Sequence, residues 1–217
     1  MAKKSKNKSE PKSAKKDALD ETRQSKIFFY IIAFIIIFII AVLSIRYFVP
    51  EKSDIQSYSY NGFVFTNITG LWFTDIQKAG TNTVYTVPLR HGPRELQNVS
   101  IEGDVNSFRN NTELHITFDP TGEDFTYIAL AASELSINLA QTLNITPVAA
   151  CSVNDTVVCL GRPIIDCEDS GEAAIYLRYG NETKVYVENN CIFIEGPEEE
   201  IMKSTDRLLL KWFSVMP

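Results

Sequence analysis

Residues 27–45 read Ile-Phe-Phe-Tyr-Ile-Ile-Ala-Phe-Ile-Ile-Ile-Phe-Ile-Ile-Ala-Val-Leu-Ser-Ile and contain no charged side chain. An α-helix of this length covers the hydrocarbon core of a bilayer, which is about 30 Å thick. A helix in the core of a water-soluble domain shows a polar stripe, whereas the polar atoms here belong to Tyr30 and Ser44, near the two ends. The stretch therefore predicts a transmembrane helix over residues 27–48.

The charges on the two sides of this helix predict its orientation. Residues 1–26 hold nine Lys and Arg against four acidic residues, whereas residues 51–217 hold eleven against twenty-three. Because short basic flanks stay on the cytoplasmic side, we expect a disordered basic cytoplasmic tail over 1–26. A linker over 49–56 then leads to an extracytoplasmic domain over 57–217. A cleavable secretory signal fits less well, since residues 44–48 offer no small-residue cleavage site.

The region 57–217 is long enough for one globular domain, and its patterns predict an α+β fold. Short runs rich in Tyr, Phe, Val and Thr between Gly and Asn turns predict mostly antiparallel strands. These include Glu113–Phe118, with Leu114 inside and His115 and Thr117 outside, and a three-stranded meander over 174–194. We expect two layers, with two amphipathic helices packed on the strands.

Apolar residues at steps of three or four positions define the inner faces of the two helices. The first stripe is Phe125, Ile128, Ala132, Leu135, Leu139 and Leu143, with acids at Glu123 and Asp124 before it and Asn144 at its end. The second stripe is Ile201, Thr205, Leu208, Trp212 and Val215.

Glycosylation signals are consistent with an exterior location. Six Asn-x-Ser/Thr triplets without a central proline occur in the predicted domain, more than its composition would give by chance. We expect sugars on some or all of Asn67, Asn98, Asn110, Asn144, Asn154 and Asn181.

All four cysteines lie in one segment of the predicted domain, 151–191. Four cysteines allow three pairings, and we favour Cys151 with Cys159 and Cys167 with Cys191 because these pairs close short loops. Zinc is the alternative, but the spacing does not place two ligands on a tight knuckle. In an oxidising exterior, disulfides are the favoured interpretation, and we expect no cofactor.

The sequence shows no catalytic constellation, and only two histidines occur in the chain. The candidate ligand-binding residues are Arg90, His91 and Arg94, which gather positive charge in an otherwise acidic domain. They could bind a carboxylate, a phosphate or an acidic sugar. The alternative is a solvated turn with local ion pairs, for example to Glu95. An acidic turn at 166–172 lacks the spacing of an EF-hand, so no metal ligands are assigned.

A resemblance agrees with this picture. The Lys-rich tail, the Ile-rich span, the glycosylation triplets and the block Cys-Ser-Val-Asn-Asp-Thr-Val-Val-Cys-Leu-Gly-Arg-Pro-Ile-Ile-Asp-Cys at 151–167 resemble those of membrane-anchored extracytoplasmic proteins of archaeal type. The resemblance implies an archaeal-type host and transfers no catalytic residues.

These observations favour a single-pass, signal-anchored module of the cell envelope that acts by contact with a protein partner rather than by catalysis. Its acidic surface is unsuited to nucleic acid. One alternative is an extracytoplasmic enzyme or solute-binding domain that uses the Arg90, His91 and Arg94 loop. The other is a pilin-like subunit whose apolar helix packs into a filament, and an intact tail on the mature protein would count against it. The sequence leaves the oligomeric state open.

Overall fold

The computed structural model describes residues 28–44, 56–122, 124–168 and 171–217. The predicted tail, both ends of the predicted transmembrane helix and nearly all of the linker lie outside these residues, as does Glu123. Residues 28–44 are helical throughout (α1), and their Ile and Phe side chains are exposed. In the described part of the chain, no helix combines the length and the apolar character needed to cross a bilayer. The transmembrane anchor therefore stays a prediction.

The chain from residue 56 onward has an α+β fold, as predicted, and it contains two sheets. The first is a four-stranded antiparallel sheet in which the strands follow one another along the chain. Its strands are β1 (Ser57–Tyr60), β2 (Phe63–Ile68), β3 (Leu71–Gln77) and β4 (Val84–Leu89). Asn61-Gly62 and Thr69-Gly70 join the first three strands with positive φ at every residue, the geometry of two-residue hairpin turns.

The second sheet is mixed, and the prediction of mostly antiparallel strands fails there. Its six strands lie in the order β5-β9-β10-β8-β6-β7, and only the β9–β10 pair is antiparallel. The predicted meander over 174–194 is wrong because β10 lies between β8 and β9 and pairs with β8 in parallel. The strands are β5 (Ser100–Glu102), β6 (Glu113–Phe118), β7 (Thr146–Ala149), β8 (Ala174–Tyr179), β9 (Lys184–Glu188) and β10 (Cys191–Gly196).

Helix α2 (Thr126–Asn138) connects the parallel neighbours β6 and β7, the usual role of a crossover helix. A π-helical turn, Leu139–Leu143, extends it, and Asn144 in the left-handed conformation ends it, as predicted. Most of the predicted inner stripe is buried, including Ile128 and Leu135.

Helix α3 (Ile201–Trp212) follows β10 and is buried on nearly all sides. Every residue of its predicted inner face is buried, but so are Asp206 and Arg207, which the amphipathic pattern places outside. Side chains from both sheets join the two helices in one hydrophobic cluster. No residue of α3 is exposed, so this helix lacks the solvent-facing side that the predicted amphipathic helix would have.

The predicted disulfides, Cys151–Cys159 and Cys167–Cys191, are both present. The segment that they brace covers the outer face of β6. Thr117, predicted to face solvent, is therefore buried, and its hydroxyl donates to the carbonyl of Ile165 at 3.0 Å. His115 on the same face is half-buried, with Nε2 3.4 Å from a carboxylate oxygen of Glu172.

Candidate functional site

The segment from Arg90 to Arg94 leaves the end of β4 and lies against α3. The backbone amide of His91 donates to Asp206 Oδ2 at 2.8 Å, and His91 Nδ1 lies 2.9 Å from the same oxygen. Because a carboxylate only accepts, Nδ1 carries the proton in this contact. Burial lowers the pKa of His91, so the ring is neutral near pH 7 and its orientation is fixed.

Glu134 of α2 and Asp206 of α3 form a buried carboxyl pair behind His91. Glu134 Oε1 and Asp206 Oδ1 are both buried, and apart from the hydrogen bond between the two carboxyl groups neither has a partner in the described residues. Burial, and next the charge of Asp206, raise the pKa of Glu134 to about 10, and burial also raises the pKa of Asp206. The two carboxyl groups interact directly and titrate as a pair, so that they hold one proton between them near neutral pH.

Both arginines of the segment also have internal partners. Arg90 Nε lies 3.8 Å from Glu134 Oε2. The guanidinium carbon of Arg94 lies 4.1 Å from the centroid of the Tyr58 ring, a cation–π contact. The three predicted ligand-binding residues are thus brought together, and each side chain already contacts another residue of the domain.

Gly92, at the centre of this segment, lies close to the side chain of Tyr58. A Cβ atom at this position would overlap the hydroxyl of Tyr58, whose ring packs edge-on against Trp72. The amide of Gly92 donates to Glu95 Oε2 at 2.7 Å, so the predicted local partner Glu95 closes the turn through the backbone.

A small groove of about 180 Å³ adjoins the carboxyl pair. Its walls are mainly apolar, with Arg90 and Glu134 as its charged side chains. Small-molecule sites in proteins measure about 300–1,000 Å³, so this groove is small for a solute. The geometry therefore gives the Arg90, His91 and Arg94 segment a clear role in joining β4, α2 and α3, and little room for a ligand.

A different surface, which the sequence did not single out, exposes large apolar side chains. The segment 152–164 is here called the apolar loop, and its first part lies in the short loop that the Cys151–Cys159 disulfide closes. Val157 and Leu160 are 82% and 70% exposed. Val153, Val158 and Ile164 are also exposed. The sequence signal was the run Val-Val-Cys-Leu at 157–160, next to a predicted disulfide.

The predicted glycosylation sites lie on the surface with one exception. Five of the six asparagines are exposed, whereas Asn67 is half-buried and its Oδ1 accepts from the amide of Gly70 at 3.2 Å. Asn154 belongs to the apolar loop. Within the described ranges, no group of three or more His, Cys, Asp or Glu side chains is placed to hold a metal ion.

Comparison with known proteins assigns no family. No protein-family model matches the chain, and neither a curated protein nor a solved structure matches it.

Proposed function

We propose that the chain is a membrane-anchored extracytoplasmic module of the cell envelope and that it binds a protein partner through the apolar loop. The observation that carries the proposal is the exposure of Val157 and Leu160 beside a disulfide. Large apolar side chains grouped on a surface are typical of interaction sites. The anchor rests on the uncharged run at 27–45 and on the charge asymmetry around it.

The apolar loop has the properties of a binding element. Burying one large aliphatic side chain in an interface contributes about 1.5–3 kcal/mol, so a few such side chains supply a useful affinity. The disulfide between Cys151 and Cys159 restrains the loop before binding. Less conformational entropy is then lost on association, which is the advantage of a preorganised site.

The composition of the loop favours a protein over a lipid surface. Segments that enter the bilayer interface combine Trp or Phe with Lys or Arg on their polar side. Residues 152–164 contain no aromatic residue, and the charge of their single basic residue, Arg162, is balanced by Asp155. Val, Leu and Ile beside polar groups instead match the buried centre and polar rim of a protein interface.

The test is crosslinking of the tagged full-length protein in its native membrane, followed by affinity purification and mass spectrometry. The double variant Val157→Ser/Leu160→Ser should lose the main crosslinked protein at unchanged expression. Val84→Ser/Ile137→Ser is the matched control, because these side chains are 56% and 50% exposed outside the loop. Equal recovery from both variants would contradict the proposal. Flotation with liposomes that depends on Val157 and Leu160 would instead indicate a lipid surface.

A further inference from the structure

An apolar cavity of about 280 Å³ opens beside the apolar loop. Its walls come from β6, α2 and β7, and Arg162 of the loop completes them. Phe118 and Phe125 form part of the wall and pack edge to face, with ring centroids 5.7 Å apart. Ala129 and Ala132 of α2 leave the space that larger residues would fill.

Arg162 gives this cavity a charge. The side chain is exposed, and in residues 56–122, 124–168 and 171–217 no carboxylate forms a salt bridge with it. Its place in the loop, two residues from both Leu160 and Ile164, joins the cavity to the exposed apolar side chains.

We propose that the cavity receives one large apolar side chain of the protein partner and that Arg162 pairs with a carboxylate adjacent to that side chain. This inference rests on the proposed function, because it identifies the partner chemistry at the same surface. Interfaces draw most of their affinity from a few apolar anchors that fill pockets. A guanidinium beside the pocket binds a carboxylate with two parallel hydrogen bonds and repels a basic residue.

The chemistry can be tested without knowing the partner. Random peptides displayed on phage are selected on the immobilised full-length protein, and the enriched sequences should place Asp or Glu next to Leu, Ile, Met or Phe. Selection on Arg162→Glu should replace the acidic residue by Lys or Arg. Arg109→Glu is the matched control, because Arg109 is exposed and does not line the cavity. It should select the same peptides as the unchanged protein.

A second variant tests the cavity itself. Ala129 is exposed at the cavity wall, so Ala129→Leu should fill the space without disturbing the core and weaken the enriched peptides about tenfold, as the loss of an anchor does. Ala140→Leu, exposed just beyond α2 and outside the cavity, should leave their binding unchanged.

The outcomes separate this inference from the proposed function. Absence of enriched peptides, or enrichment that is the same on Arg162→Glu, overturns the inference, and crosslinking that still depends on Val157 and Leu160 then leaves the proposed function standing. Charge-selected peptides that Ala129→Leu weakens support the cavity. If crosslinking is at the same time unchanged in Val157→Ser/Leu160→Ser, the proposed function is wrong.

Discussion

Asp206 accepts two hydrogen bonds from His91 through one carboxylate oxygen, at 2.8 Å from the backbone amide and 2.9 Å from Nδ1. The two residues are 115 positions apart, so this contact fastens the segment after β4 to the middle of α3. The side chain of Asp206 has no exposure to solvent. The conformation of the segment from Arg90 to Arg94 therefore depends on a buried carboxylate.

Asp206→Ala should destabilise the domain by about 3–5 kcal/mol, because it removes the acceptor of buried hydrogen bonds and leaves their donors unsatisfied. Urea unfolding followed by circular dichroism measures the change. Asp155→Ala, at an exposed position of the apolar loop, is the control and should stay within about 0.5 kcal/mol of the unchanged protein. Equal stability of the two variants would show that the contact contributes nothing.

Stability should decrease as the pH rises above neutrality. Glu134 has an ordinary pKa of 4.5 and a folded pKa raised to about 10, so between these values the folded chain keeps a proton that the unfolded chain has lost. The stabilisation is complete below pH 4.5 and is lost progressively up to about pH 10. For one proton the slope is at most about 1.4 kcal/mol per pH unit.

Unfolding free energies between pH 8 and pH 9 measure this slope, because His91, whose pKa is lowered, is neutral there and Asp206, whose pKa is raised to about 7, has already lost its proton. Glu134→Gln should flatten it, since the amide cannot ionise and can still donate to Asp206. Glu113→Gln, at a side chain that is 52% exposed, should keep the slope of the unchanged protein. A Glu134→Gln variant with an unaltered slope would refute the shared proton.

Gly92→Ala should destabilise the protein by about 1–3 kcal/mol, because the new methyl group overlaps the Tyr58 hydroxyl in a packed site. Adding Tyr58→Phe removes that oxygen and should recover part of the loss. A double-mutant cycle of thermal or urea unfolding gives the coupling energy between the two positions. Additive effects would mean that the strain lies elsewhere in the segment.

The two disulfides should differ in their effect on stability. Cys167–Cys191 spans 24 residues and Cys151–Cys159 spans 8, so the first restrains the unfolded chain more, by about 1 kcal/mol on the loop-entropy relation. Cys167→Ser/Cys191→Ser should therefore unfold at the lower urea concentration. Cys151→Ser/Cys159→Ser should mainly impair partner crosslinking, because it releases the apolar loop. The reverse order of stability would contradict the entropic account.

Local features of this chain were readable from the sequence. The bounds of β6, the inner face of α3 and both disulfides follow from alternation, helical spacing and short loop closure. The parallel pairing of β10 with β8 could not be predicted, because alternation of apolar and polar residues indicates a strand but not the strand with which it pairs.

The contacts of Arg90 and His91 with Glu134 and Asp206 could not be predicted from the sequence, for a related reason. Arg90 and His91 were noticed because their charges stand out in an acidic domain, but nothing local connects them to Glu134 or Asp206. One signal was available. The run Leu208-Leu209-Leu210 is too wide for a single helix face and indicates a helix enclosed on several sides, in which Asp206 needs a buried partner.

The position of β10 in the second sheet has a consequence for synthesis on the ribosome. β10 lies between β9 and β8, and α3 follows it directly, so the centre of the sheet and the helix inside the core are made after all the elements around them. A nascent chain that has emerged only to residue 190 holds two separate sets of strands with no strand to join them. The domain can therefore complete its folding only after residues 191–212 have been synthesised.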